Sequence, residues 1–294
     1  MSSSSKPIVL HLGEPIKYNH DLYDGAFTER FQVVRNDCPD RASFIQALKD
    51  KKFGDFAAIF RPHFQSGGEM GRWDDELVAL LPPGSVRIFA SAGAGYDWAD
   101  VDALGRRGIW YANGAGASDD AVSDTGLYLI LSVFRHFTRA QLAARTTFHA
   151  TLPGLLAAAD CVSVHTPLTP QTRDLLDAAA FAAMKPGVRV INTARGPVVH
   201  EDALIAALQS GHVAAAALDV HYHEPQVSPV LAAMENVTLT PHVGGGALNT
   251  RINFERNAME NILAVVGARG ERIGAPRTPV NRQTVEAALA SGAA

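Results

Sequence analysis

The sequence predicts an α/β protein with two domains, each built on a parallel β-sheet that is covered by helices. The chain has 294 residues, of which 47% are hydrophobic, and this is enough to form two ordinary cores. Short apolar runs alternate with helical patterns along almost the whole chain. Runs without polar alternation are typical of strands that are buried on both faces, as in a parallel sheet. The predicted strands begin at Ile8, Phe31, Phe56, Val86 and Ile109 in the first half, and at Cys161, Val188, Ala214 and Val237 in the second.

Residues 6–112 are predicted to form a flavodoxin-like α/β domain. Between its strands, three aspartates each precede a helical pattern, and aspartate is favoured at the position before the first helical turn. These aspartates are Asp40, Asp74 and Asp100. A C-terminal helical segment, 249–281, is expected to complete this domain, with its helix running from Asn249 to about Val266. The chain after Arg269 is expected to be a loose tail.

Residues 113–248 are predicted to form the second domain. It opens with a long helix from Ser118 to about Arg145, because acidic residues suit the positive end of a helix dipole and a broad apolar face follows. Further helices are predicted to alternate with the strands of this domain. They start at Leu152 and span Gln171–Met184 and Glu201–Gln209.

The composition excludes several classes of partner. The formal net charge is −4, so no basic excess indicates binding to nucleic acid or to an anionic membrane. The N-terminal apolar run is too short for a signal peptide or a membrane span. The two cysteines, Cys38 and Cys161, match no metal-binding or redox spacing, so we expect no metal and a cytoplasmic protein.

Three side chains that suit 2-keto acid reduction follow strands of the second domain. Arg195 comes after the run from Val188, Glu224 after the run from Ala214, and His242 after the run from Val237. The carboxyl ends of parallel strands share one edge of the sheet, where ligands bind. An arginine fork can hold a carboxylate, a histidine can donate a proton near neutral pH, and an acid can orient that histidine.

Each of these residues also has an ordinary interpretation. Arg195 alone fits a strand-end ion pair, Glu224 alone a solvated loop acid, and His242 alone a hydrogen-bonded loop histidine. Their order and spacing together favour the functional interpretation. His221 and His223 flank Glu224, but no ligand set with metal-site spacing accompanies them, so they are interpreted as loop histidines.

The motifs around these residues resemble those of the D-isomer-specific 2-hydroxyacid dehydrogenases. INTARGP carries Arg195, LDVHYHEP carries Glu224, and LTPHVGG carries His242. SAGAGYDWADVDAL resembles the family's substrate-carboxylate loop, and ADCVSVHTPLTPQTRDLLD resembles its segment beside the nicotinamide ribose. The pattern is closest to glyoxylate-reductase-like and D-mandelate-dehydrogenase-like members from fungi.

The resemblance implies an NAD- or NADP-dependent oxidoreductase acting on a small 2-keto or 2-hydroxy acid, such as glyoxylate, hydroxypyruvate or an aromatic 2-keto acid. It implies catalytic roles for Arg195, Glu224 and His242, a Rossmann-like second domain and a homodimer. The implied substrate-binding residues are Ala94 and Gly95. The implied cofactor-binding residues are Thr166, Pro167, Thr193, Ala194, Asp219 and Gly245.

The glycine-rich segment of that family is absent from this chain. A G-x-G-x-x-G unit takes about 30 residues, whereas here the long helix passes from Arg145 directly to the helical pattern at Leu152. Gly93-Ala94-Gly95 and Gly114-Ala115-Gly116 both lack the third glycine. The second domain is therefore expected to be a truncated Rossmann-like unit with its first βαβ unit missing.

This absence has two expected consequences. The diphosphate of a dinucleotide normally rests on that glycine turn, so we expect this chain to bind NAD(P)H poorly or to fold badly. The strand at Cys161 is also expected to become an uncovered apolar edge. An alternative function remains open, namely a non-catalytic binding or scaffold protein that keeps the sheets but not the reaction.

Overall fold

A computed structural model describes residues 6–64, 66–133 and 147–292 of the chain. The chain divides into two compact units. Unit 1 comprises Met1–Ser118 and Ala247–Ala294, and unit 2 comprises Asp119–Gly246. Among the described residues, no helix is both long enough and apolar enough to cross a membrane.

Unit 1 contains a five-stranded parallel sheet with the order β2-β1-β3-β4-β5. Its strands are β1 (Ile8–His11), β2 (Gln32–Arg35), β3 (Ala58–Arg61), β4 (Ile88–Ser91) and β5 (Trp110–Ala112). Its helices are α1 (His20–Leu22), α2 (Thr28–Arg30), α3 (Arg41–Lys49), α4 (Asp75–Ala79), α5 (Val101–Arg106), α11 (Leu248–Val265) and α12 (Arg282–Ala290), with a π-helical turn at Tyr23–Phe27.

Both faces of the unit 1 sheet are covered by apolar clusters, as the uninterrupted apolar runs predict. Consecutive residues of β1 belong to different clusters. Leu10 packs with Phe44 and Trp73, and Val9 packs with Phe60 and other residues of the second cluster. This alternation follows from the two-residue period of a strand, which sends neighbouring side chains to opposite faces.

The three predicted aspartate caps of unit 1 are confirmed. The Asp40 carboxylate accepts a hydrogen bond from the amide of Ser43 at 2.8 Å, and the Asp100 carboxylate accepts one from the amide of Ala103 at 2.7 Å. Asp74 caps α4 in the same way. Each bond satisfies a backbone donor that has no partner within the first turn of its helix.

Two expectations for unit 1 are wrong. The strand that begins near Phe31 forms β2, but it lies at an edge of the sheet, so Gln32 and Arg35 are exposed rather than buried. The chain after Arg269 is not a loose tail, because it ends in α12 and packs against the sheet. The Asn281 side chain, which is 4% exposed, accepts a hydrogen bond from the Tyr111 amide at 2.9 Å.

Unit 2 contains a four-stranded parallel sheet with the order β6-β7-β8-β9. Its strands are β6 (Cys161–Val164), β7 (Val188–Asn192), β8 (Val213–Leu218) and β9 (Val237–Leu239). Its helices are α6 (Asp119–Val133), α7 (Leu152–Ala158), α8 (Ala178–Ala183), α9 (Glu201–Gln209) and α10 (Pro229–Ala232), with a 3₁₀ turn at Gly196–Val198.

The helices of unit 2 agree only partly with prediction. The helix at Glu201–Gln209 is confirmed as α9. The helix predicted over Gln171–Met184 is wrong in its first half, because α8 begins at Ala178 after the cap Asp177. The long helix predicted from Ser118 corresponds to α6 as far as Val133, and the rest of that prediction, to about residue 145, lies outside the described residues.

The edge position predicted for the Cys161 strand is confirmed. Among the described residues β6 pairs only with β7, and Cys161, Val162 and Ser163 are each partly exposed. The strand therefore has one side of its backbone without a neighbouring strand in the described part of the chain.

Candidate functional site

The Arg195 turn follows the carboxyl end of β7 and is held by the strand's last residue. The Asn192 side chain accepts a hydrogen bond from the Ala194 amide at 3.0 Å and donates one to the Arg195 carbonyl at 2.9 Å. Gly196 comes next, and a Cβ there would lie 2.0 Å from the His221 carbonyl oxygen. Only glycine permits this approach, which packs the Arg195 turn against the segment that carries Glu224.

Glu224 and His242 form an acid–imidazole pair. His242 Nδ1 lies 2.9 Å from Glu224 Oε2, and Glu224 Oε1 accepts a hydrogen bond from the His221 amide at 2.9 Å. Partial burial of Glu224 acts to raise its pKa, but the hydrogen bonds from His242 and from the His221 amide lower it below its usual value. The carboxylate is therefore ionised at neutral pH and can orient the imidazole ring.

The backbone of His242 is held in a left-handed conformation with φ of +53°. Its amide donates to the Asp219 carbonyl at 2.8 Å. The Asp219 carboxylate, which is almost fully buried, accepts hydrogen bonds from Thr240 Oγ1 at 2.6 Å, from the Val243 amide at 2.9 Å and from the Gly244 amide at 2.8 Å. Left-handed backbone in a non-glycine residue costs about 1–3 kcal/mol, and it persists where neighbouring contacts fix it.

These contacts show how the three predicted catalytic residues are placed within unit 2. Arg195, Glu224 and His242 lie on loops that follow β7, β8 and β9, which are adjacent parallel strands. Glu224 and His242 are in direct contact, and the Arg195 turn packs against the segment that carries Glu224. It also gives Asp219 a structural role in holding the His242 loop, while its predicted contact with a cofactor stays a prediction.

Two of the predicted cofactor-binding residues have unused hydrogen-bonding capacity. Thr166 follows β6 by two residues, and Thr193 follows β7 directly. Val164 and Asn192, at the ends of these strands, are register partners, so both threonines lie at the same edge of the sheet. Their hydroxyl oxygens are shielded from solvent and make no hydrogen bond to any described residue. Buried hydroxyl groups normally have a partner, so these two fit a polar ligand.

The other predicted cofactor-binding residues lie in neighbouring turns. The Pro167 carbonyl accepts a hydrogen bond from Thr172 Oγ1 at 2.6 Å, and the Ala194 carbonyl accepts one from Arg195 Nη1 at 2.8 Å. Gly245 lies inside the turn closed by the bond from the Gly246 amide to the Val243 carbonyl at 2.7 Å. Their contact with a cofactor stays a prediction.

The residues present fit one end of a nicotinamide dinucleotide and not the other. The two threonine hydroxyls suit the neutral hydrogen-bonding groups of a ribose or a carboxamide. No G-x-G-x-x-G sequence occurs anywhere in the chain, so the glycine turn that cradles a diphosphate is lacking. The helix before β6 is no substitute, because Thr151 caps it and Pro153 stands in its first turn.

The turn predicted to bind the substrate carboxylate lies in unit 1. Gly93 has φ of +84°, and a Cβ there would lie 3.3 Å from the Phe64 ring, so glycine suits this position. The Ala94 carbonyl accepts a hydrogen bond from Asn113 Nδ2 at 2.8 Å. Among the described residues, none accepts a hydrogen bond from the amides of Gly93, Ala94 or Gly95. Successive amides without partners are typical of an anion-binding turn.

Sequence reasoning missed the residues that support the candidate site. No role was predicted for Asn192, Gly196 or Thr240. Asn192 bonds the Arg195 turn, Gly196 permits the close packing of that turn, and Thr240 bonds the Asp219 carboxylate. The only signal was position, since Asn192 and Thr240 stand at or just beyond strand ends. Thr240 bonds Asp219, 21 residues earlier, so no local pattern identifies it, whereas the partners of Asn192 lie two and three residues ahead of it.

Comparisons with known proteins point to one family. The sequence model of the D-isomer specific 2-hydroxyacid dehydrogenase, NAD binding domain, matches residues 127–244. A Schizosaccharomyces pombe protein named as a 2-hydroxyacid dehydrogenase is 30% identical, with 89% of this chain and 94% of that protein covered. Glyoxylate reductase 1 of Saccharomyces cerevisiae is 29% identical, with 90% and 93% covered.

Solved structures give the same result. The holo form of Rhodotorula graminis D-mandelate dehydrogenase has a TM-score of 0.83 and 37% identity, and 94% of this chain and 100% of that chain are covered. A glyoxylate reductase from Paecilomyes thermophila has a TM-score of 0.83 and 25% identity, with 95% and 99% covered.

The alignment with the S. pombe protein also bears on the missing glycine turn. It runs over 318 positions, which is more than the 294 residues of this chain, so the relative has residues that this chain lacks. The chain belongs to the D-isomer specific 2-hydroxyacid dehydrogenase family, whose members are NAD(P)-dependent oxidoreductases of 2-keto and 2-hydroxy acids.

Proposed function

We propose that this chain reduces the carbonyl group of a small 2-keto acid, with His242 as proton donor, Glu224 as its supporting acid and Arg195 as the residue that holds the substrate. The observation that carries this proposal is the 2.9 Å contact between His242 Nδ1 and Glu224 Oε2, beside a turn that presents an arginine. A nicotinamide cofactor, when bound, supplies the hydride.

His242 delivers the proton that balances the hydride. Because Nδ1 is engaged by Glu224, the imidazole donates its proton from Nε2 to the carbonyl oxygen as negative charge develops there. The lowered pKa of Glu224 keeps its carboxylate charged at neutral pH, so it can accept a hydrogen bond from Nδ1 and orient the ring. In the reverse direction the neutral imidazole accepts the proton of the hydroxyl group.

Arg195 provides a fixed positive charge for the same substrate. Its planar guanidinium can pair with a carboxylate through two parallel hydrogen bonds and remains charged at every physiological pH. The bonds from Asn192 fix the backbone of its turn, so less entropy is lost when the side chain binds a substrate. The turn with Ala94 and Gly95 is proposed as a further binding site for a carboxylate.

The relatives suggest the range of acids. Their names include glyoxylate reductase, glyoxylate/hydroxypyruvate reductase and D-mandelate dehydrogenase. We therefore expect turnover of glyoxylate, hydroxypyruvate or phenylglyoxylate, tested by the steady-state oxidation of NADH and NADPH. His242→Gln should lower kcat at least about a hundredfold with an unchanged melting temperature. A kcat that does not fall in this variant would contradict the assignment of His242 as the proton donor.

A second candidate is a non-catalytic binding protein that retains the fold. The missing glycine turn favours it, because a chain that holds no dinucleotide has no hydride donor. If the folded protein oxidises neither NADH nor NADPH with any of the three acids, the result supports the non-catalytic binding protein and contradicts the reductase.

We also propose a cytoplasmic homodimer. Leu127, Tyr128 and Leu131 of α6 are 53%, 59% and 42% exposed, and they adjoin one another on the helix surface. An apolar stripe of this kind is typical of an interface between subunits. Light scattering should give the mass of a dimer, and Leu127→Lys should shift it towards the monomer. The two cysteines are free, which suits a reducing compartment.

A further inference from the structure

We propose that unit 1 has a binding site for a phosphate-type oxyanion, formed by the guanidinium groups of Arg87 and Arg272 at the edge of the sheet where its strands begin. Arg87 immediately precedes β4, and Arg272 follows α11 in the chain. The turn with Ala94 and Gly95 follows the opposite end of β4, whose four residues span about 13 Å, so the two sites are separate. The inference does not depend on the proposed function.

The first argument is the position of Arg87. Its amide donates to the Ala57 carbonyl at 2.8 Å, and its carbonyl accepts a hydrogen bond from the Trp110 amide at 3.0 Å. Arg87 therefore lies between the amino ends of β3 and β5, the two neighbours of β4 in the sheet. Its Nη1 donates to the Gly84 carbonyl, and this bond holds the guanidinium near the same edge.

The second argument is the path of the turn that carries Gly270 and Arg272. A Cβ at Gly270 would lie 3.9 Å from the Ala57 Cβ, so the turn packs against the amino end of β3. Arg272 Nη2 donates to the Gly108 carbonyl at 2.5 Å, two residues before β5 begins. The turn thus passes from β3 to β5 across the start of β4, which places Arg272 beside Arg87. Burial, and then the nearby charge of Arg87, lower the pKa of Arg272, in agreement with this placement.

The third argument is the uncompensated charge of the two groups. Arg87 Nε and Arg272 Nη1 are shielded from solvent and make no hydrogen bond to any described residue. Neither arginine forms an ion pair within the part of the chain that the structure describes. The adjacent carboxylate, that of Glu271, instead accepts a hydrogen bond from the Arg269 amide at 2.8 Å. Like charges repel, and shielded donors without partners destabilise a fold, so an anion that contacts both arginines removes both costs.

The arrangement of the free donors indicates which anion fits. Arg87 Nε and Nη2 share one edge of a planar guanidinium, and neither bonds a described residue, so this edge can pair with two oxygens of one oxyanion. Arg272 Nη1 adds a third donor from a second side chain. A phosphate group has three or more acceptor oxygens that point in different directions and carries up to about two negative charges, whereas a carboxylate has two coplanar oxygens and one charge. The site therefore favours phosphate over a carboxylate.

The test is calorimetric titration of the full chain with inorganic phosphate, glycerol 3-phosphate and acetate at constant ionic strength. We expect phosphate to bind at one site per chain with a dissociation constant below about 1 mM, and acetate to bind at least about tenfold more weakly. Glycerol 3-phosphate that binds about tenfold more tightly than phosphate would assign the site to a phosphorylated metabolite, and weaker or equal binding would assign it to free phosphate. No binding of either phosphate probe, or acetate that binds equally well, would overturn the proposal.

Arginine variants assign the binding to these two side chains. Arg87→Met and Arg272→Met should each weaken phosphate binding at least about tenfold, since each removes a charge and its donors. Arg106→Met is the matched control, because Arg106 is exposed and lies 3.5 Å from Asp75, so the same change in net charge should leave the affinity unchanged. If a methionine variant does not fold, Arg272→Lys keeps the charge without the planar fork and should weaken binding at least about threefold. Unchanged affinity in the variants of both arginines would overturn the site.

Unfolding measurements separate a binding role from a structural one. All three tryptophans lie in unit 1, so their fluorescence follows its unfolding. Phosphate should raise the denaturant midpoint saturably in the parent chain and in Arg106→Met, but not in Arg87→Met or Arg272→Met. The general stabilising effect of phosphate through its exclusion from protein surfaces does not saturate and is the same in every variant. If the two variants lower the midpoint equally with and without phosphate, the arginines only support the fold and the proposal is wrong.

Discussion

The two units share a parallel sheet flanked by helices, but their sheets end differently. In unit 1 the edge strand β5 is covered, because the Val280 amide donates to the Tyr111 carbonyl at 2.9 Å and Asn281 bonds the Tyr111 amide. In unit 2 the edge strand β6 has no strand beyond it among the described residues and is partly exposed. Arg195, Glu224 and His242 follow β7, β8 and β9, so the Glu224–His242 pair does not depend on that edge, whereas a diphosphate cradle beside β6 would.

Completing the edge of unit 2 should have the largest effect. A βαβ unit of about 30 residues with a G-x-G-x-x-G turn, inserted between Arg145 and Leu152, would supply a diphosphate cradle and a neighbour for β6. Two or three charge-assisted hydrogen bonds to the diphosphate contribute about 4 kcal/mol together, so NADH affinity should rise by about a thousandfold. Calorimetry should show micromolar or tighter binding only after the insertion.

A matched insert separates the two consequences of that change. If the glycines of the inserted turn are replaced by valine, the insert can still cover β6 but cannot bring its amides close to a diphosphate. We expect this control to leave NADH affinity unchanged. Micromolar binding of NADH by the original 294-residue chain, in a monodisperse sample, would show that the missing unit beside β6 does not limit NADH binding.

Acid should destabilise unit 1 at a higher pH than unit 2. Burial lowers the pKa of His11, on β1, from 6.5 to about 4. Between these values the unfolded chain binds a proton that the folded chain excludes, so unit 1 loses about 3 kcal/mol as the pH falls from 6.5 to 4. In unit 2 the pKa of Glu224 is lowered, so its contribution is lost only as the pH falls through that lower value.

Tryptophan fluorescence can follow this difference. All three tryptophans, Trp73, Trp98 and Trp110, lie in unit 1 and report on its unfolding alone. Denaturant midpoints measured by this signal should fall between pH 6.5 and pH 4 in the parent chain. His11→Leu should flatten that dependence, and an equally steep dependence in this variant would assign the effect to another group.

Loosening the covered edge of unit 1 should have a smaller effect. The Asn281 side chain also donates to the carbonyls of Val101 and Ile109, at 2.8 and 3.0 Å. Asn281→Ala leaves these carbonyls and the Tyr111 amide without their partner, which should lower the free energy of unfolding by about 2 kcal/mol. Denaturant titration measures this change in the free energy of unfolding. Arg282→Ala, at an exposed side chain, is the control and should change stability by less than about 0.5 kcal/mol.

Local patterns predicted the parts of this fold that local physics determines. Asp40 and Asp100 cap their helices because the bonded amides lie three residues away. The tail prediction after Arg269 was wrong because the partner of Asn281 lies 170 residues earlier in the sequence. The first half of the helix predicted over Gln171–Met184 was wrong because Thr172 bonds the Pro167 carbonyl instead of continuing a helix.

The candidate site shows the same limit. Their positions after predicted strands and their chemistry suggested Arg195, Glu224 and His242, and the family resemblance then supported this choice among many polar residues. The contact between His242 and Glu224 joins loops that are 18 residues apart. The unsatisfied hydroxyls of Thr166 and Thr193 could not be predicted, since a missing partner is a property of the packed structure.

The smallest effect is expected from a single charge at the β6 edge. Exposed edge strands promote association through their unpaired backbone groups, and a lysine at the edge opposes it. Ser163→Lys should reduce species larger than a dimer severalfold in light scattering at rising protein concentration. The cost in stability should stay below about 1 kcal/mol, because Ser163 is partly exposed and gives up only its 2.8 Å contact with His165.

The edge of unit 1 provides the control for that charge. Gln32→Lys adds the same residue to β2, an edge strand whose exposed ends already include Arg35. Because that edge is already polar, we expect no change in association. If both variants reduce large species equally, net charge and not the uncovered strand governs association. If neither does, β6 is not the contact, and the difference between the two edges has no consequence in solution.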